Sequence, residues 1–175
     1  AIMGKPPPEL DARSEPFAAH PQVFVAPPDH PLLETSEGQQ HSVHLLRGLP
    51  FILREGGSGT RAALGRFCDA HHLELKVAME MHSNETIKQA VMAGLGLSFL
   101  SLHTIGLELD NGLLAVLPIE HTPVIRQWYA VHGRGRMLSP PAERFRDFML
   151  EQGQPYLNAQ FGRFLAKPGT AAGRR

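Results

Sequence analysis

Residues 51–61 read Phe51-Ile52-Leu53-Arg54-Glu55-Gly56-Gly57-Ser58-Gly59-Thr60-Arg61, and the fold turns on how they are read. A short apolar run stops at two glycines and gives way to helical periodicity. Ala63, Leu64, Phe67 and Cys68 share one face of that helix, with Arg61, Arg66 and Asp69 on the more exposed side. Strand, glycine turn and helix in that order create a site for an anion. The first amides of a helix lack intrahelical partners, and the macrodipole adds about half a positive charge there. Ser58 is placed to cap the helix, Thr60 offers another hydroxyl, and Arg61 offers a fork for phosphate or carboxylate. The same residues also read as a plain strand-to-helix turn, and the local sequence leaves both readings open. No Lys-Ser or Lys-Thr pair closes the stretch, so it does not fit a P-loop and nucleotide hydrolysis is disfavoured.

The totals bound what such a site can serve. With 175 residues the chain can bury one respectable core or two small lobes. Seventeen Lys and Arg balance seventeen Asp and Glu, and the pI is about 7.4. A body that grips nucleic acid by itself usually carries a basic excess, so direct DNA binding by this polypeptide is disfavoured. The single Cys68 excludes an intrachain disulfide framework, fits a reducing compartment and reads as core filler rather than a nucleophile. No stretch is long and apolar enough to span a bilayer and no signal peptide opens the chain, so a cytoplasmic place without a membrane partner is expected. Ala1-Ile2-Met3-Gly4 reads as the end of a buried strand with no initiator Met, and the sequence is expected to continue upstream.

Lys5-Pro6-Pro7-Pro8 ends that opening strand, since prolines supply no ladder donor. Val23-Phe24-Val25-Ala26 is a second strand, stopped by Pro27-Pro28-Asp29-His30-Pro31. Residues 35–44 read as a polar loop. His41 and His44 have a spacing that could hold a metal, but no Cys or carboxylate set accompanies them, and solvated histidines fit better. Leu45 to Leu49 closes a short helix. Val77 to Met81 alternates like a strand; Ser83 then caps a helix with Glu85 in its first turn and Gly94 or Gly96 at its end. Leu97-Ser98-Phe99-Leu100 is a third buried strand, Asp110-Asn111-Gly112 a turn, and residues 126–132 another strand. Ser139-Pro140-Pro141 starts a helix with Ala142, Phe145, Phe148 and Met149 facing inward. The Gly/Ala/Arg tail from Pro168 has nothing to bury and is expected to be disordered. Strands alternating with helices predict an α/β domain with a largely parallel sheet, whose ligand sits where strands end and helices begin. The helix starts at residues 58–61 and 83–85 follow neighbouring strands, so both are expected to face one cleft.

Several motifs stand in a telling order. They are residues 1–7, residues 26–32, residues 51–61, the run from Ser83 to Val91 leading into Gly94-Leu95-Gly96-Leu97-Ser98, then Gly112-Leu113-Leu114, Arg126-Gln127-Trp128-Tyr129 and Leu138-Ser139-Pro140. Together, from Ala1 to about Met149, they resemble the effector-binding domain of LysR-type transcriptional regulators. Met3-Gly4-Lys5-Pro6-Pro7 and residues 55–61 make the chain most similar to the branch that controls carbon-fixation (RubisCO) operons. The resemblance implies a two-lobed fold like that of type 2 periplasmic solute-binding proteins, with an effector in the cleft between lobes. Residues 30–112 would form one complete lobe. Residues 1–29 and 113–152 would belong to an incomplete one, with residues 153–175 a C-terminal extension. It further implies a winged helix-turn-helix upstream, which would make the DNA contacts, and a tetrameric full-length protein. Carried onto matching positions, Ser58, Gly59, Thr60, Arg61, Ser83 and Asn84 would bind the ligand, with Arg54, Glu55 and Glu85 at the rim or in support. Effectors of this branch are sugar phosphates and reduced nicotinamide nucleotides such as NADPH, and their binding would shift a population of conformers. No catalytic or metal-binding residue is expected.

Two other readings carry weight. One is a free solute receptor of the same fold, exported to the periplasm. The other is an enzyme acting on a phosphorylated substrate, for which Glu55 and Glu85 are the candidate bases near the helix starts. As a piece of a longer protein the chain is also expected to leave apolar faces such as Val23, Val25 and Phe148 uncovered and to aggregate or melt with low cooperativity.

Overall fold

The computed structural model describes residues 1–34 and 39–165; the sequence-expected tail from Pro168 and part of the 35–44 loop lie outside the described residues. In chain order the regular elements are β1 (Ile2–Met3), β2 (Ala12–Ala26), β3 (Pro50–Arg54), α1 (Gly59–Ala70), β4 (Lys76–Met81), α2 (Asn84–Met92), β5 (Ser98–Ser101), α3 (Gly106–Asp110), β6 (Ala115–Val116), β7 (Val124–Gly133) and α4 (Pro140–Leu165). They divide between two compact units. One holds Ala1–His20 and Ile125–Arg163; the other holds Pro21–Val124 and also takes Phe164 and Leu165. No helix among the described residues is long and apolar enough to cross a membrane.

The second unit is where strand and helix alternate. β3, α1 and β4 make a crossover unit, and β3 pairs with β4 in parallel, Pro50 opposite Lys76 and Arg54 opposite Met81. Phe51 also bridges Leu97 in parallel. The expected parallel order therefore holds where helices connect the strands. It fails elsewhere: β2 runs antiparallel to β5, with Val23 opposite Leu100 and Val25 opposite Ser98, and β6 is antiparallel to β2 as well. No helical crossover joins β2 to these partners directly, so nothing fixes them in the same direction.

Around this pairing sits one core, with Phe24, Phe51, Leu53, Leu64, Phe67, Leu97 and Phe99 among its buried members. The ring of Phe24 meets Phe51 and Phe67 edge-on, at 6.0 and 5.5 Å between centroids. Val23 and Val25 are buried, which corrects the expectation that they lack partners. They lie on a strand flanked by β5 and β6, so both edges of the β2 end are paired. β4 is exposed over most of its length, and β3 is its only strand partner among the described residues. Helix α2 ends as expected at a left-handed Gly94, whose amide donates to Val91 while that of Leu95 donates to Ala90. Cys68 is half-buried at the core margin, and burial pushes its thiol pKa up.

In the first unit β1 lies antiparallel to β7, Ile2 opposite Ala130. β1 is only two residues long and Ile2 is exposed, so the opening strand is not the buried one expected. Phe17, Ala18 and Ala130 are packed by Trp128, Met149, Leu150 and Leu157. The inward stripe of α4 thus runs through Met149, Leu150, Gly153 and Leu157. Phe145 and Phe148 are about half exposed, against the expectation that they face inward. At about 100° per residue Phe148 falls nearly opposite that stripe and Phe145 at its margin. The helix also continues through Pro155 to Leu165, so the described part of the C-terminal extension from residue 153 is helical.

The closest backbone approach is at Gly96. The Leu97 amide donates to the Pro50 carbonyl at 2.8 Å and the Ile52 amide to the Leu97 carbonyl at 2.8 Å. A Cβ on Gly96 would stand 2.7 Å from the Pro50 oxygen, which is backbone and cannot swing away. Gly65, in the exposed middle of α1, has open space at the same point. Gly96→Ala should therefore cost about 1–3 kcal/mol of stability. Gly65→Ala should add roughly 0.5–1 kcal/mol by helix propensity. Opposite shifts of the urea midpoint would bear this out; equal midpoints would show that the β3–β5 approach is not tight.

Candidate functional site

Both strands of the parallel pair end at the same edge, and each leads into a capped helix. From Arg54 the chain turns through Glu55, Gly56 and Gly57, with the Ser58 amide donating to the Glu55 carbonyl at 3.2 Å and Gly57 at φ 90°. Ser58 is extended (φ −63°, ψ 135°), and its Oγ accepts from the Thr60 amide at 3.2 Å, which caps α1. From Met81 the chain passes His82 to Ser83, also extended, whose Oγ accepts from the Thr86 amide at 3.5 Å and caps α2. The two amide-rich helix starts therefore share the carboxyl edge of β3 and β4.

Arg54 ties the two starts together. Its Nε and Nη2 donate to the carboxylate of Glu55 at 2.7 and 2.8 Å, and its Nη1 donates to Oδ1 of Asn84 at 2.8 Å. The Arg54 hydrogen bonds hold the Glu55 carboxyl down at about 2, well below its usual 4.5. Asn84 is the first residue of α2, so one guanidinium spans the end of β3, the α1 entry turn and the α2 start.

The other expected residues divide. Ser58 is buried by its own turn. Thr60 is committed inward, because its hydroxyl donates to Oε1 of Gln22 at 3.2 Å, and Gln22 is fully buried on β2. Arg61 carries a buried Nη1 with no hydrogen-bond partner among the described residues. Gly59 and Arg61 put first-turn amides at the α1 start, where no carbonyl four residues back lies within the helix. Glu85 is turned along its own helix to Lys88, at 2.8 Å.

Two participants escape the sequence reading. Gln22 shows itself only as one amide just before the apolar run Val23–Ala26. Lys88 sits among Ile87, Ala90 and Val91 on the inner face of α2. It is buried, and its ammonium reaches Glu85 and Glu108, each at 2.8 Å, and the Thr104 carbonyl at 3.2 Å. Burial alone would lower its pKa, but the bonds to Glu108 and Glu85 outweigh that and raise it. A charge at a core-facing helical position was the available signal.

No group of His, Cys, Asp and Glu among the described residues could hold a metal. The first unit holds a cavity of about 140 Å³; Ile2, Val131, Leu138 and Phe145 are among its lining residues.

The chain is similar to bacterial transcriptional regulators. It is 45% identical to the HTH-type transcriptional regulator CfxR of Cupriavidus necator over 175 residues, covering all of this chain and 52% of CfxR. It is 44% identical to CbbR of Xanthobacter flavus over 158 residues, covering 90% of this chain and 47% of that one. The chain thus spans about half the length of these curated relatives. Among solved structures, the Synechocystis CcmR regulatory domain in complex with 2-PG superposes with a TM-score of 0.77 at 37% identity, covering 86% of this chain and 71% of that domain. The effector-binding domain of QuiR in complex with shikimate, at 20% identity and a TM-score of 0.73, shares the fold. Residues 1–154 match the family described as the LysR substrate binding domain, and this α/β chain, of the type 2 periplasmic-binding-protein-like class, belongs to that family.

Proposed function

We propose that this chain is the effector-sensing part of a transcriptional regulator of carbon-fixation genes and that it binds a small phosphorylated metabolite or NADPH without transforming it. The observation that carries the reading is the pair of capped helix starts at one edge of β3 and β4, joined through Arg54. Ser58, Gly59, Thr60, Arg61, Ser83 and Asn84 would supply the contacts. Thr60 would do so through its lone pairs or backbone, since its proton is engaged by Gln22. Arg54, Glu55 and Glu85 would hold the frame. The CcmR domain crystallised with 2-PG, a phosphorylated two-carbon acid, which fits the chemistry of helix N-termini.

Regulation would follow from differential affinity: a ligand that prefers one conformer raises its population. DNA reading would belong to a segment outside this sequence, as the balanced charge suggests, and the assembled regulator would be a cytoplasmic homo-oligomer. Catalysis is disfavoured by the state of the two nearby carboxylates. A base held at about 2 by Arg54 has little appetite for a proton at neutral pH, and Glu85 is paired with Lys88.

Two measurements test this. Titration of the 175-residue chain with 2-PG or NADPH should shift the backbone amide resonances of residues 59–61 and 84–86, with a Kd of about 10 µM to 1 mM. Arg61→Met should weaken binding about tenfold, and phosphorus NMR should recover the ligand unchanged. Saturation without a response at either helix start would sink the proposal, as would turnover. Secondly, the Glu55 carboxyl should titrate near 2, and Arg54→Met should return it towards 4.5. Because the folded value is the lower one, the stabilising effect of the Arg54–Glu55 pair is full above about pH 4.5 and is lost as pH falls through about 2. An ordinary midpoint in the unaltered chain would show that the two do not pair in solution.

A further inference from the structure

We infer that Arg54 is a positioning residue that sets the ligand preference of Asn84, an inference that rests on the site reading above. The guanidinium has three N–H directions in use: two are taken by the Glu55 carboxylate and one by Oδ1 of Asn84. With its charge matched by Glu55 and three of its five N–H groups engaged, Arg54 is a weaker grip for an anion than a free guanidinium. What it does instead is fix the Asn84 amide. The oxygen of that amide is spent on Arg54, and among the described residues the side-chain nitrogen donates no hydrogen bond. Asn84 therefore offers a ligand donors only.

An unrestrained asparagine can turn either its oxygen or its nitrogen to a ligand, so it accepts hydroxyl donors and carboxylate or phosphate acceptors alike. Held by Arg54, it rewards acceptors and leaves a donor group facing a donor. The selectivity comes from the residue behind the contact. Glu55 completes the device: by occupying the Nε–Nη2 edge it fixes the plane of the guanidinium and so aims Nη1 at α2. With Glu55 ionised down to about pH 2, the orientation does not depend on physiological pH.

The test is a double-mutant cycle on the 175-residue chain, using 2-PG, which carries acceptors at both ends, and glycerol 3-phosphate, which carries hydroxyls at one. Arg54→Met should weaken 2-PG binding about tenfold and narrow the preference for 2-PG over glycerol 3-phosphate at least threefold. Asn84→Ala should do the same, and the double variant should be no worse than Asn84→Ala alone, because Arg54 acts through that amide. Arg54→Lys is the second variant should Arg54→Met unfold; an ammonium lacks the planar fork that grips Glu55 and aims a further N–H at Asn84, so the preference should narrow again. Additive losses, or an unchanged preference in either Arg54 variant, would overturn the role of Arg54 while leaving the site intact. Failure of the unaltered chain to bind 2-PG would overturn the site reading and the role of Arg54 together.

Discussion

The parallel pairing of β3 with β4 is the constraint on which the rest depends. Parallel strands joined by a helix must end at the same edge, and a chain leaving that edge begins its next helix there. Arg54 opposite Met81 brings both strands to the same edge, from which the chain runs to the caps at Ser58 and Ser83. A shift of one residue in this register would reverse the faces of β4 and separate Asn84 from Arg54. The core supports the same register from behind, where Gly96 lets β5 close on Pro50 and Ser98 donates its hydroxyl to the Ile52 carbonyl at 2.7 Å.

Lys88 shows how α2 is kept from rolling. An ammonium in an apolar helical face is costly unless it is paired and hydrogen-bonded, and here Glu85, Glu108 and the Thr104 carbonyl all serve it. Removing one partner from a buried pair of this kind typically costs about 3–5 kcal/mol, whereas replacing the whole pair by apolar groups can be neutral. Its value lies in direction more than in stability. Lys88 reaches from the helix whose start carries Asn84 to α3, so the rotation of α2, and with it the direction of Asn84, is set from the far side.

Much of this was legible in the residues. Ser58 and Ser83 announce their helices because a hydroxyl before an amphipathic run has one good local use, and Gly94 ends α2 because a left-handed residue costs glycine little. The family was legible too, through motifs whose order carries more information than any one of them. What the sequence could not supply was direction and partnership at long range. The long β2 hides its first half behind prolines and a histidine, and its antiparallel neighbours lie more than seventy residues away in sequence, beyond the reach of any periodicity. Phe145 and Phe148 looked like core because large apolar residues at helical spacing usually are; only the contacts of Met149 and Gly153 reveal which stripe faces inward. Arg54 was readable as a cation near the site, but not as one already spent on Glu55.

That last point bears on how the site could hold charge. Each helix start contributes about half an elementary charge, so two together amount to roughly one. Arg54 adds little, since Glu55 cancels it, and Glu85 subtracts little, since Lys88 holds it. Arg61 is the formal charge left over, with one nitrogen buried and unpartnered. A field built this way suits a small dianion better than a bulky polyanion, because most of it arises from amides that also demand close, directional approach. Neither the helix ends nor the arginines titrate near neutrality and Glu55 is held ionised, so these parts of the field persist across the physiological range.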